Sequence, residues 1–234
     1  MTIPIKIISE KDFEDVAGQE DVWDSIAVPW GKYVVKKIPV VEEFLSGKKG
    51  KVVDLGCGSG RNIIASEGLK YWCVDFSSGQ LMHARSYAED EGIDAKFFKM
   101  SVDKLSKKEF KNEMFDYCLF IATLHCVGSK EGRLRALKEF YRVLKKGGEG
   151  LISVWNSSDK RFDFVGNHGG IYMSWREDGV SYMRYYYLYS EEELLGLLRE
   201  VGFEIKEVYG GEGVSGGGER DRFMKKNLVV RVRK

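Results

Sequence analysis

Between Val52 and Asn62 the chain reads VVDLGCGSGRN. A short apolar strand runs into three glycines at alternate positions, Gly56, Gly58 and Gly60. Glycine lets a backbone turn sharply and pass very close to a ligand. With a helix expected near Arg61, this is the first strand-turn-helix unit of an open α/β sheet, which binds ligands at the carboxyl ends of its strands. Dinucleotide folds share such glycine spacing. Asp54 ahead of the first glycine and Cys57 between the first two narrow the choice.

The same alternation continues along the chain. Residues from about Val22 to Leu45 are expected to be helical, with Val22, Ile26, Val34, Ile38, Val41 and Phe44 apolar. Strands are expected over Lys51 to Leu55, Tyr71 to Val74, Ala95 to Met100, Phe115 to Ile121 and Gly150 to Trp155. Helices are expected over Ser77 to Glu91 and Lys130 to Lys145, with Gly147 and Gly148 stopping the second. Residues 156–180 break the alternation and read as a long polar loop. Ser181 to Tyr189, a helix over Glu191 to Val201 and a strand over Phe203 to Val208 follow. After the stretch GGEGVSGGG, a last strand over Asn227 to Val232 is expected antiparallel to its predecessor. Alternating strands and helices imply a mainly parallel sheet with helices on both faces. The expectation is one domain over 1–234, with an N-terminal helical segment 1–48 and an insertion 156–180.

Composition limits the partners. A chain of 234 residues with 43% apolar and 31% charged residues supports one full core. No apolar run is long enough to span a bilayer, and charge arrives too early for a signal peptide, so a cytoplasmic location is expected. The net charge is +1, but residues 219–234 hold seven basic and two acidic side chains. That run suits either phosphate contact or a solvated strand. Cys57, Cys73, Cys118 and Cys126 form no CxxC pair and read as small core residues, with no metal site expected. Gln19 and Gln80 are the chain's two glutamines.

VVDLGCGSGRN resembles motif I of class I S-adenosylmethionine-dependent methyltransferases, in the form D-x-G-C-G-x-G. The resemblance implies S-adenosylmethionine as cofactor, whose amino-acid tail is zwitterionic and whose sulfur is a sulfonium. Asp54 then suits the ammonium or organises the turn, and Gly56, Cys57, Gly58 and Gly60 form the backbone wall. Asp75, about 20 residues on, suits both ribose hydroxyls or caps the next helix. Phe76 suits the adenine face, Ser101 and Val102 the adenine edge, and Ile121 the end of the fourth strand. His125, just past that strand, reads as a base, an orienting donor or a core histidine. RVLKKGGEGLISVW is similar to the family's R-V-L-K-P-G-G, with Lys146 in place of proline. The implied fold is a Rossmann-like seven-stranded sheet in the order 3-2-1-4-5-7-6.

Several further segments resemble the wobble-uridine tRNA carboxymethyl methyltransferases. They are DVWDSIA, IPVVEEFL, IATLHCVGSKEGRLRALKEFYRVL, VWN, MRYYYLYSEEEL and NLVVRVRK. Tyr187 and Cys126 stand where that family often has histidine, and Ile38 and Leu228 where it often has tryptophan. The resemblance implies tRNA as substrate, with Arg184 holding the acceptor carboxylate beside His125 and Tyr186. Tyr185, Tyr187 and Asn227 are implied to meet the base, although a run of tyrosines also reads as a strand with alternating buried rings. Trp23, Trp30, Lys32 and Tyr33 lie on a segment that lids the cofactor in this class, with core packing the default for the tryptophans. The family works with a small zinc-binding activator protein. An edge strand over 95–100, with Phe97 and Phe98 on opposite faces, offers it a place to pair. Two rival readings are a small-molecule O- or N-methyltransferase and a non-catalytic scaffold; an intact GCGSG and Asp75 speak against the scaffold.

Overall fold

The computed structural model describes residues 5–7, 18–33, 36–163, 169–210 and 218–234. Val34, part of the expected N-terminal helix, lies outside the described residues, as do the side chain of Tyr33 and most of the GGEGVSGGG stretch. Seven strands make the main sheet: β2 (Gly50–Leu55), β3 (Leu69–Asp75), β4 (Ala95–Lys99), β5 (Phe115–Ile121), β6 (Leu144–Trp155), β9 (Glu204–Tyr209) and β10 (Asn227–Arg233). Their order is β4-β3-β2-β5-β6-β10-β9. Numbered within this sheet alone, that is the expected 3-2-1-4-5-7-6. β10 runs antiparallel to both β6 and β9, and the other pairs are parallel. This is the Rossmann-like methyltransferase fold.

Both faces of the sheet are covered, which is why its central strands are continuously apolar. Val53, Leu55, Val74 and Phe120 pack under α5 (Lys130–Val143) and α6 (Glu191–Val201). Val52, Cys73, Leu119 and Ile121 face α3 (Pro39–Leu45), α4 (Ser78–Asp90) and α7 (Glu219–Lys226). Cys73 and Cys118 are fully buried, as expected of small core residues.

Several expectations need correction. The helix expected over 22–45 is three short ones: α1 (Gln19–Ser25), α2 (Ala27–Tyr33) and α3. Pro29 cannot donate to the Ser25 carbonyl, and Pro39 holds Ile38 extended at φ −96°, ψ 112°. No helix follows Gly60. The chain has only eight residues, 61–68, in which to return along the length of β2. Eight helical residues cover roughly 12 Å, whereas a six-residue strand is roughly 20 Å long. The segment is therefore stretched, and side chains replace the missing helical bonds. Lys37 Nζ donates to the Ile63 carbonyl (2.5 Å), and the Tyr71 hydroxyl donates to the Ile64 carbonyl (3.1 Å).

α5 ends at Val143, four residues before the glycine pair. Its last carbonyls are taken by the Glu113 and Met114 N–H groups at 3.0 and 2.8 Å, so no glycine cap is needed. α7 was not expected at all. The supposed loop 156–180 contains β7 (Gly169–Glu177), which forms a hairpin with β8 (Val180–Leu188) and pairs on its other side with β1 (Ile5–Ile7). The turn is Asp178-Gly179, with φ of 47° and 80°. Two left-handed residues of this kind, with Asp-Gly as the favoured pair, are a strong hairpin signal. This small sheet is joined to the main one by the Asn156–Tyr189 bridge.

Candidate active site

The carboxyl ends of β2, β3, β4 and β5 open on a pocket of about 330 Å³. Its floor is the glycine turn. The Gly56 and Cys57 N–H groups donate to the Val74 carbonyl at 2.8 and 2.9 Å, folding the turn back over β3. Gly56 has φ 75°, and a Cβ there would lie 2.2 Å from Thr123 Cγ2. Thr123 shares its hydroxyl proton between the Gly56 and Ile121 carbonyls, tying β2 to the end of β5. Of the ten residues expected at the cofactor, Gly56, Cys57, Gly58, Asp75, Phe76, Ser101, Val102 and Ile121 line the pocket. Gly60 instead lets α4 approach, where a Cβ would lie 3.2 Å from Ala84 Cα. Asp54 sits beneath the turn, fully buried.

Asp54 and Asp75 differ in their partners. Asp75 accepts the Gly58 N–H (2.9 Å) and the Ser77 N–H (2.9 Å). Burial still raises its pKa to about 6, with repulsion from Asp24 adding and those N–H bonds opposing. No described donor makes a well-formed hydrogen bond to either oxygen of Asp54, Asn62 being its one nearby amide, and Asn62 Oδ1 is unpartnered. Burial, then the nearby Asp75 charge, lift Asp54 to about 7, only partly offset by Asn62 and Arg61. Buried acceptors are normally paired. Acceptors without well-formed donors, beside a glycine turn too close for side chains, fit a ligand that brings an ammonium and a ribose. The residues present therefore fit S-adenosylmethionine.

The other side of the pocket is aromatic. Trp23 on α1 and Trp30 on α2 line it. Behind them lies Arg184 on β8, 4% exposed. Its guanidinium carbon is 5.1 Å from the Trp30 ring centre, 5.4 Å from Trp175, 5.5 Å from Tyr186 and 5.9 Å from Trp23. Nε has no acceptor, and no described carboxylate pairs with the group. α1 grips this strand through Gln19, whose Nε2 donates to the Met183 carbonyl (3.1 Å) and whose Oε1 accepts the Tyr185 N–H (2.9 Å). It grips the cofactor side through Asp24, which accepts the Ser77 hydroxyl (2.5 Å) and the Gly79 N–H (2.9 Å) at the start of α4.

Four expected site residues are placed elsewhere. His125 is 1% exposed, tilted against both Trp155 (5.2 Å between ring centres) and Tyr186 (5.6 Å), with Nδ1 accepting the Trp155 backbone N–H at 3.0 Å. Burial, helped by the Arg161 charge, pulls its pKa down to about 3. It is a core histidine. Strand alternation sends Tyr185 and Tyr187 to the face of β8 opposite Arg184. Tyr185 packs edge-on to Tyr172, while Tyr187 donates to Glu193 (2.7 Å) under the Arg133 guanidinium. Asn227 starts β10 and donates to the Phe223 carbonyl (2.7 Å). Tyr186 is buried with Trp155 at 4.1 Å and its hydroxyl unpaired; it walls Arg184 rather than the pocket. Cys126 lines the pocket, but burial pushes its thiol up to about 12.

Sequence reasoning missed Gln80, Asn62, Arg61 and Thr123 as pocket residues, and Gln19 as a clamp. The scarcity of glutamine was a signal, since both glutamines line the pocket. The edge strand β4 has no outer neighbour among the described residues, and its rings are half-buried. Phe97 lies under Arg85 and Phe98 against Phe110. The basic tail is partly neutralised within the fold, with Arg231 paired to Glu149 and Glu207 and Arg220 to Glu43.

Comparison with known proteins agrees with this geometry. The methyltransferase domain family matches residues 52–148. A methyltransferase-named protein of Encephalitozoon cuniculi is 34% identical over 161 residues, covering 66% of this chain and 70% of that one. The chain belongs to the S-adenosylmethionine-dependent methyltransferases. Within them it is similar to the tRNA (carboxymethyluridine(34)-5-O)-methyltransferase of Schizosaccharomyces pombe, 27% identical over 216 residues, 80% of this chain and 88% of that one. It spans only 30% and 37% of the length of tRNA methyltransferase relatives from cattle and human. The fold matches the Burkholderia thailandensis 1,6-didemethyltoxoflavin-N1-methyltransferase with a TM-score of 0.69 at 19% identity, covering 100% of this chain and 93% of that one. No described helix is long and apolar enough to cross a membrane.

Proposed function

We propose that this enzyme methylates a carboxylate, the carboxymethyl group of a wobble uridine in tRNA. The observation that carries the reading is Arg184, a buried cation with no acid partner among the described residues, walled by Trp23, Trp30, Trp175 and Tyr186 beside the cofactor pocket. A guanidinium in that setting suits a planar anion. The carboxymethyluridine relative named above gives the anion an identity.

The bound cofactor supplies an electrophilic methyl group. On its side, Asp54 and Asn62 accept from the ammonium, Asp75 takes the ribose hydroxyls, Phe76 covers adenine, and Ser101 and Val102 meet its edge. Gly56, Cys57, Gly58 and Ile121 wall it, while Gly60 keeps α4 close. On the acceptor side Arg184 orients the carboxylate, and the rings exclude water. A carboxylate is ionised at neutral pH and needs no base, which accords with a histidine sealed in the core. Methylation removes two opposite charges, so a dry, positioned site favours it. A single guanidinium orients the acceptor without over-stabilising its ground state. β4, with its open edge over 95–100, pairs with a small zinc-binding activator.

A second reading, a carboxylate methyltransferase for a small molecule, draws on the ion-paired tail, which leaves less free positive charge for phosphate. One experiment separates the two. The chain, with and without a co-expressed zinc-ribbon activator, is given labelled cofactor and bulk tRNA, followed by nucleoside analysis. Label in an alkali-labile ester on the wobble uridine is the expected result. Cofactor binding without any label in RNA would sink the tRNA reading.

A further inference from the structure

Gln80 stands in the first turn of α4, five residues beyond Asp75. Its backbone is fully employed, with the N–H donating to Ser77 Oγ at 3.1 Å. Its side chain is 2% exposed and lines the cofactor pocket. Neither Nε2 nor Oε1 has a partner. A buried amide with both ends unmade is among the least favourable features a fold can keep.

The neighbours explain why the protein does not satisfy it. Gly58 lies next to it, since a Cβ there would sit 3.8 Å from Gln80 Oε1. The Gly58 N–H already donates to Asp75 Oδ2. The Ser77 N–H is likewise taken by Asp75 Oδ1. The amide therefore faces pocket space between the glycine turn and Asp75, with nothing to bond.

We infer that Gln80 contacts the adenosine half of the cofactor, its Nε2 donating and its Oε1 accepting. This rests on the cofactor assignment above and adds a residue to it. Chemistry and position together select the half of the ligand. An amide with both functions free needs a partner that offers a donor and an acceptor side by side. Ribose hydroxyls do so, and so does the adenine edge, for which glutamine is a recognised bidentate match. The amino-acid tail also offers a donor and an acceptor, in its ammonium and carboxylate, but Gln80 lies beside Gly58, whose N–H is held by Asp75, and so on the ribose side. Gln80 thus extends the role of Asp75, which holds acceptors only.

The test is Gln80→Met, which keeps the length and removes the polar atoms. Binding of S-adenosylhomocysteine is measured by calorimetry, and binding of 5′-methylthioadenosine by displacement of labelled S-adenosylhomocysteine. Both are expected to weaken about tenfold, by the same factor. The ligand-free variant is expected to melt no lower than wild type, because a packing role would be damaged by the change whereas an unmade amide is relieved by it. Should that variant fail to fold, Gln80→Glu keeps the shape, removes the donor and is read by the same two titrations. Failure of wild type to bind S-adenosylhomocysteine would overturn the cofactor assignment itself. Wild-type binding with an unaffected variant would overturn the role of Gln80. A loss confined to S-adenosylhomocysteine would overturn the adenosine assignment.

Discussion

The glycine-turn side of the pocket and the aromatic side, where we place the acceptor, are built on opposite plans. The first is backbone and buried acid: Gly56, Gly58 and an Asp54 with no well-formed donor. The second is aromatic rings around Arg184, which no described acid meets. The first holds a buried carboxyl whose pKa is lifted to about 7, the second a buried guanidinium with no acid among the described residues. A buried ionised group without a partner is normally removed or neutralised. Keeping an ionisable group buried on each side fits ligands of opposite charge, a cation at the carboxyl and an anion at the guanidinium.

Arg184→Met breaks the acceptor side alone and carries the largest expected effect. Removing one member of a buried charged pair lowers kcat/KM for tRNA by roughly 10²- to 10³-fold. S-adenosylhomocysteine binding should stay within about twofold, since Arg184 lies behind Trp23 and Trp30 rather than on the glycine turn. Arg184→Lys should not restore activity, because a point charge does not reproduce the planar fork. An equal loss of cofactor binding would show that the two regions are one.

Asp54→Asn breaks the other side, with an expected 10- to 100-fold loss of cofactor affinity, about 1.5–3 kcal/mol for a hydrogen-bonded charge. Its pH dependence sharpens the comparison. With a folded pKa of about 7 against an ordinary 3.8, the ligand-free protein keeps a proton that the unfolded chain gives up. Ligand-free stability therefore falls as pH rises from about 4 to 7, and the penalty is constant above that. The variant should melt higher than wild type at pH 8 without ligand, and the gap should close toward pH 4. Cofactor binding needs the ionised form, so wild-type affinity should weaken as pH drops below 7, by up to ~10-fold per unit. A flat titration from pH 8 to 5.5 would mean that Asp54 does not meet the ammonium.

The contrast also explains what could be read from sequence. A glycine turn is local: Gly56, Gly58 and Asp75 declare themselves by spacing within about twenty residues. The acceptor side is assembled from Trp23, Trp30, Trp175 and Arg184, which only the tertiary fold brings together. Resemblance pointed to Arg184 but could not separate it from Tyr185 and Tyr187, which a two-residue period sends to the other face. Sequence left three readings of His125 open because a position just past a strand end is open in one fold and sealed in another; here Trp155 and Tyr186 pack against it. The missing helix after Gly60 could have been read by counting. Eight residues cannot both coil and span β2. The Asp178-Gly179 hairpin was equally legible and was hidden by the polarity of its surroundings.

Gln19 joins the two regions, and Gln19→Ala tests how tightly. Two neutral hydrogen bonds to the β8 backbone are lost, on either side of Arg184. At about 1 kcal/mol each, less what water recovers, KM for tRNA should rise roughly 3- to 10-fold with kcat little changed. A fall in kcat with KM unchanged would place Gln19 at the reacting atoms instead.

The smallest effect is expected at His125, and it separates packing from chemistry. His125→Phe keeps a ring beside Trp155 and Tyr186 and leaves the Trp155 backbone N–H without its acceptor. Stability should fall by about 1–3 kcal/mol, the usual penalty for an unmade buried donor, while kcat stays within roughly threefold. The wild-type rate should show no inflection from histidine near pH 6.5, because burial holds this imidazole neutral down to about pH 3. Such an inflection, absent in His125→Phe along with most of the rate, would make the histidine a base. The acceptor would then be a group that must lose a proton, and the unpaired guanidinium of Arg184 would need a different anion.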